Sequence, residues 1–184
     1  MFANLAADYR RNLMTPARLC KSLIVPDCFN ALLGLRLFIW LEKHRLPVFL
    51  PYRWLLHMHG LEMAKRCRIG PGLSLPHPRG VLFTEETVIG TGCSIYGNVR
   101  FTRKDGRTPV VGDRVFIGDG VILLGTAVVG TGTTVGAGAI VTKAFGEDLV
   151  IAGNPARVIR QKSAAAPAPE TPQPEGAVPE KRMP

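Results

Sequence analysis

Four histidines are the residues of this 184-residue chain best suited to move a proton near neutral pH. His44, His57 and His59 fall in a stretch rich in Leu, Phe and Trp. His57 and His59 stand two apart, so on a helix they diverge and cannot grip one metal ion from a common face. No third ligand accompanies them, and no metal site is expected. His77 differs, because Pro76 and Pro78 flank it, restricting the backbone on both sides and removing two N–H donors. A stiffly held imidazole suits general-base work, since a base must meet its proton in a fixed geometry. The residues alone leave His77 open between facing a ligand and serving the local backbone. Glu62 lies fifteen residues earlier. A carboxylate beside one imidazole nitrogen fixes the tautomer and stabilises the imidazolium formed when the other nitrogen accepts a proton. The competing reading of Glu62 is an ion pair with Lys65 or Arg66 at a helix end.

The elements that must hold these side chains are legible in a period of six. From Val111 to Gly146 the chain reads VGDRVF, IGDGVI, LLGTAV, VGTGTT, VGAGAI, VTKAFG, each hexad opening on Val, Ile or Leu. This spacing fits neither an amphipathic helix nor a simple alternating strand. It fits a triangular coil in which each hexad supplies one short strand and one tight corner, the aliphatic residue pointing into the shaft. Gly, Asp, Asn and Thr then take the corner conformations that bulkier residues resist. Ile69, Leu75, Val81, Thr87, Cys93 and Val99 keep the same count upstream. The hexad at Asp105 keeps the count but lacks an inward aliphatic residue, which predicts a loop over 102–110 that leaves the coil. Twelve good hexads make about four coils of three strands. One circuit takes about eighteen residues on this count, so Glu62 comes back near His77, one layer away.

Three regions follow. Residues 1–66 form a short helical segment, with helices predicted over Asn30–Leu41 and Leu50–Met63. Residues 67–162 form the coil. Residues 163–184, rich in Pro, Ala and Glu without an apolar period, form a disordered tail. Charge is uneven: residues 1–68 carry eleven Lys/Arg against four Asp/Glu. A basic helical segment with Trp, Phe and Leu either touches an anionic membrane surface or buries its apolar face on the end of the coil. No apolar run reaches the roughly twenty residues of a spanning helix, and no signal peptide is recognised. Cys20, Cys28, Cys67 and Cys93 form no close pair, pointing to a reducing, cytoplasmic setting. The GxG pairs lack the third Gly of a dinucleotide fingerprint and the Lys-Ser/Thr of a P-loop, so they read as corners. No nucleic-acid partner is expected.

The segments Phe29–Leu41 (FNALLGLRLFIWL), Ile69–His77 (IGPGLSLPH), Ile117–Val141 and Ile151–Ile159 (IAGNPARVI) resemble the serine acetyltransferase branch of the hexapeptide-repeat acyltransferases. The resemblance covers Pro26 to Arg160. It implies a mainly β fold, a left-handed parallel β-helix, an exception to the usual right-handed crossover. It implies a homotrimer with coenzyme A in the groove between neighbouring coils, and acetyl transfer from acetyl-coenzyme A, the co-substrate, to a hydroxyl. His77 stands at the place of the family's general base, and Glu62 at the place of a carboxylate, more usually Asp, that pairs with it. Backbone N–H groups steady the oxyanion. Asp119, Gly120, Ala137 and Gly138 match positions that present backbone to the pantetheine arm, while Lys143, Arg157 and Arg160 are candidate phosphate partners. The alternative for those three is ordinary surface cations.

Departures from the family pattern concern the acceptor. An Arg-His-Pro triplet in the protruding loop is here Arg107-Thr108-Pro109, and the loop is about four residues shorter. Pro76 replaces the Asp that precedes the catalytic His, and Leu13 falls where a helical-domain Asp helps to hold the serine amino group. Arg107 remains for a carboxylate, with Thr108 and Pro76 as its neighbours in the acceptor site. A neutral alcohol needs no carboxylates around it, so the expected acceptor is a sugar hydroxyl in polysaccharide or glycan biosynthesis. Serine acetylation for cysteine synthesis is the alternative, and a non-catalytic β-helix scaffold is the third reading.

Overall fold

The computed structural model describes residues 2–12, 28–44 and 60–162. Among these residues two helices, α1 (Phe2–Arg11) and α2 (Cys28–Lys43), precede fifteen short strands. The strands stack as three five-stranded sheets forming the faces of a triangular shaft. The first face holds β1 (Leu61–Met63), β3 (Val81–Phe83), β6 (Arg100–Thr102), β9 (Ile122–Leu124) and β12 (Ile140–Val141). The second holds β2 (Arg68–Ile69), β4 (Val88–Ile89), β7 (Val110–Val111), β10 (Val128–Val129) and β13 (Ala144–Phe145). The third holds β5 (Ser94–Ile95), β8 (Phe116–Ile117), β11 (Thr134–Val135), β14 (Leu149–Ala152) and β15 (Arg157–Gln161). All ladders are parallel except the last, where β15 turns back on β14 and closes the stack.

The shaft interior is the predicted aliphatic column. Val111, Ile117, Leu123, Val129, Val135 and Val141 are all buried, each fully buried side chain contributing about 1.5–3 kcal/mol. There are five turns rather than about four. Leu61–Met63 is the first strand and not the end of a helix, so the coil begins before residue 67 and Glu62 lies on it. The helix predicted over Leu50–Met63 otherwise falls outside the described residues, as do His57, His59, Leu13 and the tail.

The strict count of six conceals two insertions. Ile69 pairs with Ile89, a circuit of twenty residues, whereas Val111 pairs with Val129, a circuit of eighteen. The two extra residues lie in the corner between Leu75 and Val81 that carries His77. Phe101 pairs with Leu123, a circuit of twenty-two, because four extra residues form the loop after Thr102. Two and four make one hexad, so the count runs unbroken through both. Val81, Thr87, Cys93 and Val99 are buried as expected, but the central inward residues of those strands are Phe83, Ile89, Ile95 and Phe101, two positions on. Corner chemistry also departs from expectation. Arg66, Glu86 and Arg114 take left-handed conformations at φ 59°, 63° and 52°, which crowd Cβ against the following carbonyl. At Arg66 the backbone is held there, its N–H donating to the Glu42 carboxylate at 2.9 Å.

The helices close the first turn of the shaft. Leu32, Leu35, Phe38 and Leu41 of α2 join the core. Arg36 is buried among them and donates to Asp8 of α1 and to the carbonyls of Ile69 and Gly70, each of these at 2.7 Å. Asp8 in turn accepts from the Leu73 N–H at 2.9 Å. The described helices of the basic segment pack on the coil, and no described helix is long and apolar enough to cross a membrane.

Candidate active site

The corners between the third and first faces stack into one edge, Pro76–Gly80, Tyr96–Val99, Gly118–Val121 and Gly136–Ala139, and the turn Gly153–Ala156 between β14 and β15 continues it. Backbone hydrogen bonds run down it, from Asn98 N to Arg79 O at 2.9 Å, Gly120 N to Gly97 O at 3.0 Å and Gly138 N to Asp119 O at 2.8 Å. Small residues let the turns approach: a Cβ on Gly118 would stand 2.7 Å from Ala137 N. His77, Asp119, Gly120, Ala137 and Gly138, spread over positions 77 to 138 of the sequence, therefore share one backbone-lined edge.

His77 occupies the enlarged corner at the top of this edge and is exposed. Its ring packs on Tyr96, with centroids 5.9 Å apart and planes tilted by 55°, and Tyr96 packs on Phe116 at 5.2 Å. Tyr96 and Phe116 had no place in the sequence reading. The signal was present, since each lies beside an inward residue, Ile95 and Ile117, and so faces outward. Glu62 is exposed on β1, in register with Leu82, five residues beyond His77. The corner between them is drawn together by the Gly80 N–H donating to Gly60 O at 2.7 Å. No hydrogen bond or ion pair joins Glu62 to His77 among the described residues. Arg66, one of its competing partners, pairs instead with Glu85 at 2.6 Å and Glu86 at 3.5 Å.

Not every candidate gathers here. Arg107 and Thr108 lie in the loop between β6 and β7, on the edge between the first and second faces. That loop is pinned at its base: Lys104 and Arg107 exchange backbone bonds at 3.0 and 2.9 Å, and Arg103 reaches Glu85 at 3.3 Å. Pro76 adjoins His77, whereas Arg107 and Thr108 occupy a different edge of the same chain. Lys143 sits on the loop's edge too, its Nζ 5.5 Å from the Phe145 ring centroid. Arg157 and Arg160 are exposed on β15, Arg157 beside Ala152 at the foot of the histidine edge.

Cys67 and Cys93 are not nucleophiles, because burial pushes each thiol up to about 11 and keeps it protonated. No cluster of potential metal ligands occurs among the described residues.

Stacked hexad corners carrying an exposed histidine define an acyltransferase of the hexapeptide-repeat type. The family model described as bacterial transferase hexapeptide (six repeats) matches residues 108–143. A serine acetyltransferase of Synechococcus elongatus is 34% identical over 170 residues, spanning 86% of this chain and 69% of that protein. The solved serine O-acetyltransferase of Brucella melitensis superposes with a TM-score of 0.77 at 28% identity, covering 88% of this chain and 70% of that one. Serine acetyltransferase of Brucella abortus in complex with coenzyme A gives 0.73 at 28% identity, covering 87% and 66%. The chain thus spans about two thirds of their length, and it belongs to the serine acetyltransferase family.

The expected sugar acceptor is overturned by these relatives, all of which are named for serine. That expectation rested on two missing carboxylates, with Pro76 and Leu13 in their places, and on Thr108 in place of a His. Loss of particular contacts does not define a new acceptor when an edge assembled from distant corners offers other groups.

Proposed function

We propose that this chain transfers the acetyl group of acetyl-coenzyme A to the hydroxyl of serine, giving O-acetylserine for cysteine synthesis. The observation that carries the reading is the exposed His77 in a corner enlarged by two residues, at the head of a backbone-lined edge, in a chain of this family. The imidazole accepts the serine hydroxyl proton as that oxygen attacks the thioester carbonyl. Collapse of the tetrahedral intermediate breaks the C–S bond, and the imidazolium returns its proton to the coenzyme A sulfur. Glu62 orients the ring and stabilises its charged form. The pantetheine arm runs along Asp119, Gly120, Ala137 and Gly138, backbone groups steady the oxyanion, and Arg157, Arg160 and Lys143 meet the phosphates.

A homotrimer fits the separation of the edges, since Arg107 and Thr108 reach a His77 site only from a neighbouring chain. The adjacent, partly exposed Val110 and Val128 of the second face offer apolar surface for such packing. A reducing, cytoplasmic setting fits the free thiols Cys67 and Cys93.

The test is purified protein with acetyl-coenzyme A and L-serine, following thiol release and product mass. Stoichiometric thiol and O-acetylserine are expected. Thiol release with other hydroxyl acceptors but none with serine overturns the reading.

A further inference from the structure

Asp119 is the one acidic side chain on the described corners of the histidine edge. It lies one turn beyond Gly97, where the turns approach so closely that a side chain would crowd its neighbours. The point where a Gly97 Cβ would stand is 3.0 Å from Asp119 Oδ2 and 3.2 Å from the carbonyl oxygen of His77. The carboxylate and the carbonyl of the histidine therefore meet at Gly97, with the Arg79 carbonyl oxygen 3.4 Å from the same point. Asp119 is held there through its other oxygen, Oδ1, which accepts from Asn98 Nδ2 at 3.2 Å. No cation neutralises it among the described ion pairs, which are Arg36–Asp8, Arg66–Glu85, Arg66–Glu86 and Arg103–Glu85. The His77 carbonyl accepts no backbone hydrogen bond from the described residues. Asp119 Oδ2 and the His77 carbonyl oxygen thus come together with no donor of their own in the described hydrogen bonds.

We infer that Asp119 Oδ2 and the His77 carbonyl form the subsite for the acceptor's ammonium group, which makes Asp119 a specificity-determining residue. The inference rests on the serine reading and deepens it. In serine the amino and hydroxyl groups sit on adjacent carbons, roughly 3 Å apart, a separation within reach of one hydrogen-bonding cluster. When the hydroxyl lies against the His77 imidazole, the ammonium must fall within a few ångströms of that residue. An ammonium donates three hydrogen bonds in rotatable directions, and a carboxylate with a neighbouring carbonyl supplies charge and geometry together. Pro76, beside the base, supplies neither. Even a Cβ at position 97 would press on the carboxylate and on the His77 carbonyl. The Asp119 backbone remains in the corner ladder and stays available to the donor, so only its side chain is assigned to the acceptor.

Steady-state kinetics on full-length wild type and Asp119→Asn test this, with L-serine and with 3-hydroxypropionate, which keeps the hydroxyl and carboxylate but lacks the ammonium. Asparagine preserves size and an acceptor for Asn98. The variant should raise KM for serine by at least about tenfold, as loss of one charge-assisted hydrogen bond implies. Its KM for acetyl-coenzyme A should stay within about twofold, and its preference for serine over 3-hydroxypropionate should fall by a similar factor of about ten. Asp119→Glu should recover part of the serine affinity. An unchanged serine KM and preference in Asp119→Asn overturns the inference alone, as does a rise confined to acetyl-coenzyme A. A wild-type protein that leaves serine untouched overturns both the inference and the reading beneath it.

Discussion

Arg36 and Asp8 meet twice, Nε to Oδ2 at 2.7 Å and Nη2 to Oδ1 at 2.9 Å, with both side chains sealed from solvent. The pair also ties the helices to the first turn of the coil through Ile69, Gly70 and Leu73. Removing one partner leaves a buried charge and two carbonyls without donors. Arg36→Met should therefore destabilise the fold by about 3–5 kcal/mol, read as a lower urea midpoint. A loss below about 1 kcal/mol would show that the helices dock without the pair.

Two glycine substitutions should separate stacking from conformation. A Cβ at Gly118 meets Ala137 N at 2.7 Å and Ala137 Cα at 2.9 Å, so Gly118→Ala must push two turns of the histidine edge apart. Overpacking of this kind costs about 1–3 kcal/mol and should lower both melting temperature and turnover. Gly106, in the loop, has nothing within 4 Å but a φ of +73°. Gly106→Ala should cost about 1 kcal/mol through backbone strain alone. Calorimetry that ranks the two in the opposite order would count against close stacking of that edge.

His77→Ala should lower kcat by about 10²–10⁴-fold, the usual contribution of a general base. Its exposed ring carries little of the core, so circular dichroism and melting should stay near wild type. Glu62→Gln should slow the reaction less, because it removes orientation and charge rather than the proton acceptor. A silent Glu62→Gln would return that side chain to a surface role.

If Arg107 serves the His77 site of a neighbouring chain, two crippled variants should repair one another. Co-expressed His77→Ala and Arg107→Ala chains would then form mixed assemblies in which some grooves keep both residues. Activity of the co-purified assembly should exceed that of either variant by several-fold. A mixture no better than its parts, in assemblies shown by mass to be mixed, would place both residues in one chain's site.

Cys67 and Cys93 should resist thiol reagents in the native state. Burial raises both to about 11 from an ordinary 9.0. In a Cys20→Ser, Cys28→Ser background, no label should enter at pH 8 until denaturant is added, when two thiols should react. The unfolded chain ionises these thiols first. Their contribution to stability is therefore complete below about pH 9 and is lost as pH rises toward 11.

Much of this protein was legible in its residues. Aliphatic side chains six apart can all be buried only in a three-sided coil, so Val111 through Val141 determined the fold class and its core. Pro76 and Pro78 marked His77, and quoted segments such as IAGNPARVI marked the family. Spacing failed where the count was most regular, because extra residues at the His77 corner and in the loop add to one full period and leave no trace in a count of six. Only the ladder of partners, Ile69 with Ile89 and Phe101 with Leu123, separates them. The acceptor environment was equally hidden. A one-dimensional reading weighs the neighbours of His77 in the chain and finds uncharged Pro76, but an edge is assembled from corners about eighteen residues apart. Parallel stacking brings Gly97 and Asp119 to His77, and no local pattern records a contact made by closing successive turns.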